Sequence, residues 1–286
     1  MNSIKKYLSL VKFSHTIFAL PFALIGFFLA TQYANYSVNW MVFVYVVFCM
    51  IFARNAAMAF NRYVDRKIDK LNPRTDQREI PAGKLSSRSA ILFVFINSVL
   101  FIATTWFINS LVFFLSPVAL LVVLGYSYTK RFTFLCHFVL GLGLALAPIG
   151  AYLSVTGKFD ILPLIFSFIV LLWTSGFDII YALQDDEFDK GQLLKSIPVF
   201  TGKKKALIIS GILHFFAAVL IIIAGLYADF DLWYRVGAFI FIALLFYQHT
   251  IVKIDDLSKI NLAFFTTNGI ASVVFAVFTI LSLFIK

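Results

Sequence analysis

The sequence predicts an all-α, polytopic membrane protein, with nine transmembrane helices forming one membrane domain over residues 1–286. Three observations lead there. The chain is 61% hydrophobic and 13% charged, with a mean hydropathy of +0.92, whereas soluble domains are about 45–50% apolar and about 25% charged. Its apolar residues fall into runs of roughly 20, the length a helix needs to cross the hydrocarbon layer. The basic residues between those runs collect on one side.

The first span is placed at 13–33. Its basic start, "MNSIKK", resembles a secretory signal, but the apolar part exceeds the about 7–15 residues of a signal core. It therefore reads as a retained span with a kink or break near Pro21. The second span, 39–61, carries Arg54 and runs straight into "NRYVDRKIDK". Spans three and four, 89–108 and 110–128, are separated by little more than Asn109 and Ser110. The fifth and sixth, 134–155 and 161–182, flank a short loop with Lys158, and the sixth carries Asp178. The last three are 206–227, 232–252 and 263–285. Cys49 and Cys136 lie in or beside apolar runs, so they imply no disulfide framework.

Loop charge orients the bundle. The N-terminal segment, the 62–88 loop, Lys130 and Arg131, the 190–205 loop, and Lys253 with Lys259 hold twenty of the 24 basic residues. The positive-inside rule puts these segments in the cytoplasm, and nine spans then put the C-terminus outside. The net charge of +10 thus belongs to membrane topology, and no nucleic-acid partner is expected. The partner is the lipid bilayer, at the cytoplasmic (inner) membrane.

Ten of the 14 acidic residues lie on the same side as the basic loops. Asn61, Asp65 and Asp69 stand four apart and would form one stripe if the second helix continues past the bilayer. Asp185 and Asp189 repeat the spacing after span six, as a second stripe. Neighbouring carboxylates repel unless a cation lies between them. Oxygen ligands of this kind suit Mg²⁺, which completes its shell with water and substrate phosphates. Two facing stripes would clamp a diphosphate through the metal. The alternative, solvated loop charge, explains one such pair more readily than two at corresponding span ends.

Each motif has an ionisable residue seven positions upstream, Arg54 and Asp178. Seven residues are two turns, so each is expected on its motif's face, one level deeper. Charges within spans face polar cavities or partners. Arg54 could meet a carboxylate, a diphosphate or Asp178, and an Arg54–Asp178 structural pair is the bland alternative. Tyr126 and Lys130, four apart at the end of span four, offer a hydrogen bond and a compact cation to a phosphate. Interfacial anchoring is the other use of that pair. His15 near the end of span one is a helix-end polar residue that could line the site. The 35 phenylalanines suggest an aromatic tunnel, but lipid-facing bulk accounts for most of them.

These residues resemble the UbiA superfamily of intramembrane prenyltransferases, whose motifs are NDxxDxxxD and DxxxD. The resemblance spans nearly the whole chain and includes the "RTDQREIPAGKLS" loop, the Tyr126/Lys130 pair and "KSIP" at 195–198. The sequence departs from the pattern at Arg62, where the family has Asp, and in the loop at Glu79-Ile80. The resemblance implies nine helices around a central cavity. It implies Mg²⁺ held by Asn61, Asp65, Asp69, Asp185 and Asp189 and binding a polyprenyl diphosphate, with Tyr126 and Lys130 as a phosphate grip and Lys195 among the substrate-binding residues. It places Arg54 against the carboxylate of an aromatic acid, with Asp178 also on the substrate side. Lys130 would offset charge on the leaving diphosphate, and Asp65 or Asp185 would take the proton. The expected activity is aromatic polyprenyl transfer of the 4-hydroxybenzoate type, for ubiquinone. A naphthoate or futalosine-type acceptor, for menaquinone, is the alternative. A secondary transporter is a remote third reading, since transport sites lie nearer the midplane.

Overall fold

The structure, a computed structural model, describes residues 7, 9–11 and 18–285. The expected start of span one at Phe13, His15, the lysines at 5, 6 and 12, and Lys286 lie outside them. The described residues are nearly all helical. Eight helices are long and apolar enough to cross a membrane, and a shorter apolar helix, Leu20–Tyr33, precedes them.

Helix α1, Leu20–Phe28, passes into a wider π-helical segment, Leu29–Tyr33. Pro21 sits in its first turn. It therefore starts the helix, where no amide hydrogen is required, and does not kink it. Helix α2, Trp40–Asp69, opens on Asn39, whose side chain accepts from the Met41 and Val42 amides. Its 30 residues rise about 45 Å, well beyond the roughly 30 Å hydrocarbon layer. The continuation expected past the bilayer is thus present, and it carries Asn61, Asp65 and Asp69. Helices α3, Ser87–Trp106, and α4, Ser110–Thr129, start on Ser86 and Asn109 caps. Asn109 also donates to the Leu153 and Ser154 carbonyls at 2.9 and 3.3 Å, so the very short connection is tied to the next hairpin.

Helix α5, Cys136–Thr156, ends on Gly157 in the left-handed region, and Asp160 caps α6, Ile161–Ala182. Two short helices follow, α7, Asp186–Gly191, and α8, Ile197–Thr201. Helices α9, Lys203–Tyr227, and α10, Leu232–Ile251, lead to a π-helical segment, Leu262–Thr267, and α11, Asn268–Phe284. Cys49 and Cys136 are free thiols, in line with the sequence.

Helix α6 packs between α5 and α9, α2 packs on α3, α10 on α11, and α1 on α5. Without a hydrophobic force between helices in lipid, close approach depends on small residues. A Cβ on Gly26 would stand 2.1 Å from the Pro148 carbonyl oxygen, so α1 and α5 cross backbone to backbone. The main core joins Phe22, Phe166, Trp173, Phe241 and Phe275. Trp173 donates its indole N–H to Asn268 at 2.8 Å, satisfying both polar groups in the interior. Many phenylalanines therefore serve as packing within α1, α6, α10 and α11, and others are exposed on the lipid side. An apolar cavity of about 350 Å³ lies on the other half of the bundle between α2, α4 and α5. Aliphatic side chains dominate its wall, which includes Phe101 and Phe159.

Candidate active site

The end of α2 delivers the first motif as a stripe. Asn61 donates to Asp65 at 3.1 Å. Asp65 is buried, and its two oxygens meet Lys130 Nζ at 3.2 Å and an Arg131 Nη2 at 2.9 Å. One turn on, Asp69 Oδ1 accepts from Arg78 at 2.7 Å, while its Oδ2 is buried without a hydrogen-bond partner. Arg62 is buried beside Asp69, Arg78 and Glu79, so both departures from the family pattern fall in one buried charge cluster at the loop's base.

The second motif is built differently from the expectation. Helix α6 ends at Ala182, and Asp185 stands at the N-cap of the separate helix α7 with φ −110° and ψ 4°. The Asp189 amide donates to the Asp185 carbonyl at 2.7 Å. Asp185 and Asp189 are therefore one turn apart on a new element, not a stripe extending α6. Four acids, Asp185 to Glu187 and Asp189, suit the positive N-terminal end of that new helix. The helix break also removes the two-turn relation expected between Asp178 and Asp185.

The 2–3 loop draws the motifs together. Arg74 grips both oxygens of Asp185, with its Nε at 2.9 Å, and donates to the Tyr181 hydroxyl at 2.8 Å. Asn72 donates to Asp185 at 3.1 Å. Burial pulls the Arg74 guanidinium down, but the hydrogen bonds and charges of Asp185 and Tyr181 together outweigh it and hold Arg74 above its usual range. Burial pushes the Asp189 carboxyl up to about 6, with Asp185 and Asp65 adding to it against Lys130 and Arg74. Residues from both motifs thus share one electrostatic environment. No set of three acidic, His or Cys side chains is gathered at metal-ligand spacing among the described residues, and Arg74, Arg78 and Lys130 are paired with Asp185, Asp69 and Asp65. The donor set nonetheless fits a hard cation. It is all oxygen, it includes the unpartnered Asp69 Oδ2, and burial with neighbouring carboxylates raises Asp189.

Arg54 and Tyr126 both line the apolar cavity, and Tyr126 lies close enough to Arg54 and Asp65 to feel both charges. Lys130 joins the site directly. Lys195 is exposed: its Nζ donates to the Phe132 carbonyl at 3.2 Å, and its amide to the Lys130 carbonyl at 2.6 Å. It braces the Lys130 loop in this geometry. Asp178 is bound at 2.7 Å to His137 Nδ1, while His137 Nε2 accepts from the Ile197 amide at 3.3 Å. That link ties α5 and α6 to α8. Sequence reasoning did not assign Asn72, Arg74, Arg78, Arg131 or His137. The first three lie in or beside the "RTDQREIPAGKLS" loop, whose local sequence does not name its distant partners.

The UbiA prenyltransferase family model matches residues 19–270. A 4-hydroxybenzoate octaprenyltransferase of Aliivibrio fischeri (strain MJ11) is 28% identical over 237 residues, covering 83% of this chain and 82% of that protein. A protein of the same name from Francisella tularensis subsp. novicida (strain U112) is 32% identical over 192 residues, or 67% of each. Among solved structures, the apo form of a UbiA homologue from Aeropyrum pernix K1 superposes with a TM-score of 0.85 at 28% identity, covering 93% of this chain and 97% of that one. A UbiA homologue from Archaeoglobus fulgidus bound to GPP and Mg²⁺ matches with a TM-score of 0.77 at 23% identity over 98% of this chain and the whole of that one, a likeness of fold.

Proposed function

Because this chain belongs to the UbiA prenyltransferase family, and is therefore a transferase with a multi-pass membrane fold, we propose that it moves a polyprenyl group from polyprenyl diphosphate to an aromatic acid of the 4-hydroxybenzoate type, using Mg²⁺. The observation that carries this reading is Arg54. It sits on the wall of an apolar cavity of about 350 Å³ beside Tyr126, and Tyr126 is also near Asp65. A carboxylated ring in the cavity would find a guanidinium fork below the acidic motifs.

In this reading Asn61, Asp65, Asp69, Asp185 and Asp189 hold the metal, within one domain over 1–286 whose motif face is cytoplasmic. Mg²⁺ supplies positive charge against the departing diphosphate. Lys130 adds a second charge there, having exchanged Asp65 for phosphate oxygen, and Arg74 makes the same exchange from Asp185. Such charge, placed beforehand, stabilises the leaving group as it forms. The allylic C–O bond breaks, a ring carbon bonds to the prenyl carbon, and the displaced ring proton passes to Asp65 or Asp185. The aliphatic cavity wall keeps water away from the allylic cation. Asp178 and Lys195 act on substrate indirectly, through the loops that they brace.

Purified protein is supplied with a polyprenyl diphosphate and either 4-hydroxybenzoate or a carboxylated dihydroxynaphthalene, with Mg²⁺ or with chelator. Mass spectrometry should find prenylated 4-hydroxybenzoate only where Mg²⁺ is present. Product from the naphthoate alone would overturn the acceptor assignment in favour of the menaquinone branch.

A further inference from the structure

A second concavity, about 360 Å³, lies between the polar ends of α2 and α4, on the side of α2 away from the acidic stripe. Tyr63 and Lys67 are each two residues from the 61/65/69 positions, so about 200° round the helix from them. With Arg66, Tyr128 and Arg131 they line the pocket, and Val64 and Ile68 supply apolar surface. Three cations and no acid face this space. Each arginine is held against a tyrosine: the Arg66 guanidinium lies 4.3 Å from the Tyr63 ring centre, and that of Arg131 lies 5.4 Å from Tyr128. Arg66 gives one N–H to the Tyr63 carbonyl, which fixes its plane and leaves further donors of its fork, whereas Arg131 donates to the Ser127 and Val64 carbonyls and to Asp65 and so frames the pocket's inner wall. Lys67 is exposed and makes no ion pair among the described residues.

We propose that this pocket binds a phosphate group at the membrane surface, namely the headgroup of an anionic phospholipid. Basic pockets between transmembrane helices at the interface suit such headgroups. Several features favour the lipid over a free anion. The pocket lies where α2 leaves the apolar layer, its two tyrosines are interfacial side chains, and part of its wall is apolar. Arg131 bridges to the other site, since it also bonds Asp65 at 2.9 Å.

The test reads lipid retention, not prenyl transfer, so its outcome is separate from that of the acceptor assignment. The protein is reconstituted with phosphatidylcholine and phosphatidylglycerol, extracted in mild detergent, and its retained lipid identified by native mass spectrometry. Wild type should retain phosphatidylglycerol preferentially. In the Arg66→Gln/Lys67→Gln double variant that preference should fall by about tenfold or more, from two interfacial charges lost. The charge-keeping Arg66→Lys/Lys67→Arg variant should preserve it, which a merely structural role for the Arg66–Tyr63 stack would not allow. Equal phosphatidylglycerol retention by wild type and the glutamine variant would overturn the site. Displacement of the lipid by inorganic phosphate would keep the phosphate chemistry but overturn the lipid as its source.

Discussion

Asp65 and Asp185 are held by different cations, and that difference shapes what their replacement should do. Asp65 meets Asn61, Lys130 and Arg131, whereas Asp185 meets Asn72 and both arms of Arg74. If both are metal ligands, Asp65→Asn and Asp185→Asn should each cut prenyl transfer well over tenfold, more than about 1.4 kcal/mol in barrier. Folding should change little, because each motif stands at a span end with other polar partners. Full activity in either purified variant at saturating Mg²⁺ would remove the metal clamp. Arg54 is a separate question, since it sits in the cavity and not on the acidic stripe's outer end. Lysine cannot reproduce a guanidinium fork. Arg54→Lys should therefore raise the KM for the aromatic acid far more than that for the prenyl diphosphate. Steady-state kinetics with each substrate varied in turn decides this. An unchanged acceptor KM with weaker diphosphate binding would assign Arg54 to the diphosphate.

Elements were legible wherever a long apolar run fixed them. Seven of the eight long helices fall within a few residues of the spans read from hydropathy, and the eighth, α2, starts as read but runs on past 61 to Asp69, as its acidic stripe requires. Legibility ended where geometry depends on distant partners. Arg74 reaches Asp185 across 111 positions of sequence, and no local pattern announces that. The end of α6 at Ala182 was likewise hidden, because DxxxD spacing reads the same on a continuing helix and on a new short one. Asp178 bonds His137, 41 positions away in sequence, a partner that no local pattern announces. Close helix crossings were also invisible in composition, which does not show which small residue meets a backbone. Gly26 is such a position, with Pro148 O 2.1 Å from a notional Cβ. Gly26→Leu should force α1 off α5 and destabilise the protein by about 1–3 kcal/mol, the usual range for overpacking. Thermal unfolding in detergent measures it, and an unshifted midpoint would mean that the crossing yields at no cost.

Over the whole molecule, charge and chemistry should share a side. Twenty of the 24 basic residues fall in the N-terminal segment and the loops that the sequence reading puts in the cytoplasm, so the positive-inside rule and the site make the same demand. The proposed substrates would ask the same: a diphosphate headgroup and an aromatic acid would come from water, while the prenyl chain would stay in lipid. In that reading the motif end of α2 faces the cytoplasm, with the cavity running from it between α2, α4 and α5. Ser87 starts α3 on that side, and Lys158 lies in the exposed turn between α5 and α6 on the other. Once Cys49 and Cys136 have been replaced, Ser87→Cys should react with a membrane-impermeant thiol reagent only after the inner face is opened. Lys158→Cys should react in intact cells. The reverse labelling would place the carboxylates outside, away from any cytosolic diphosphate, and would break the link between the loop charges and the chemistry they surround.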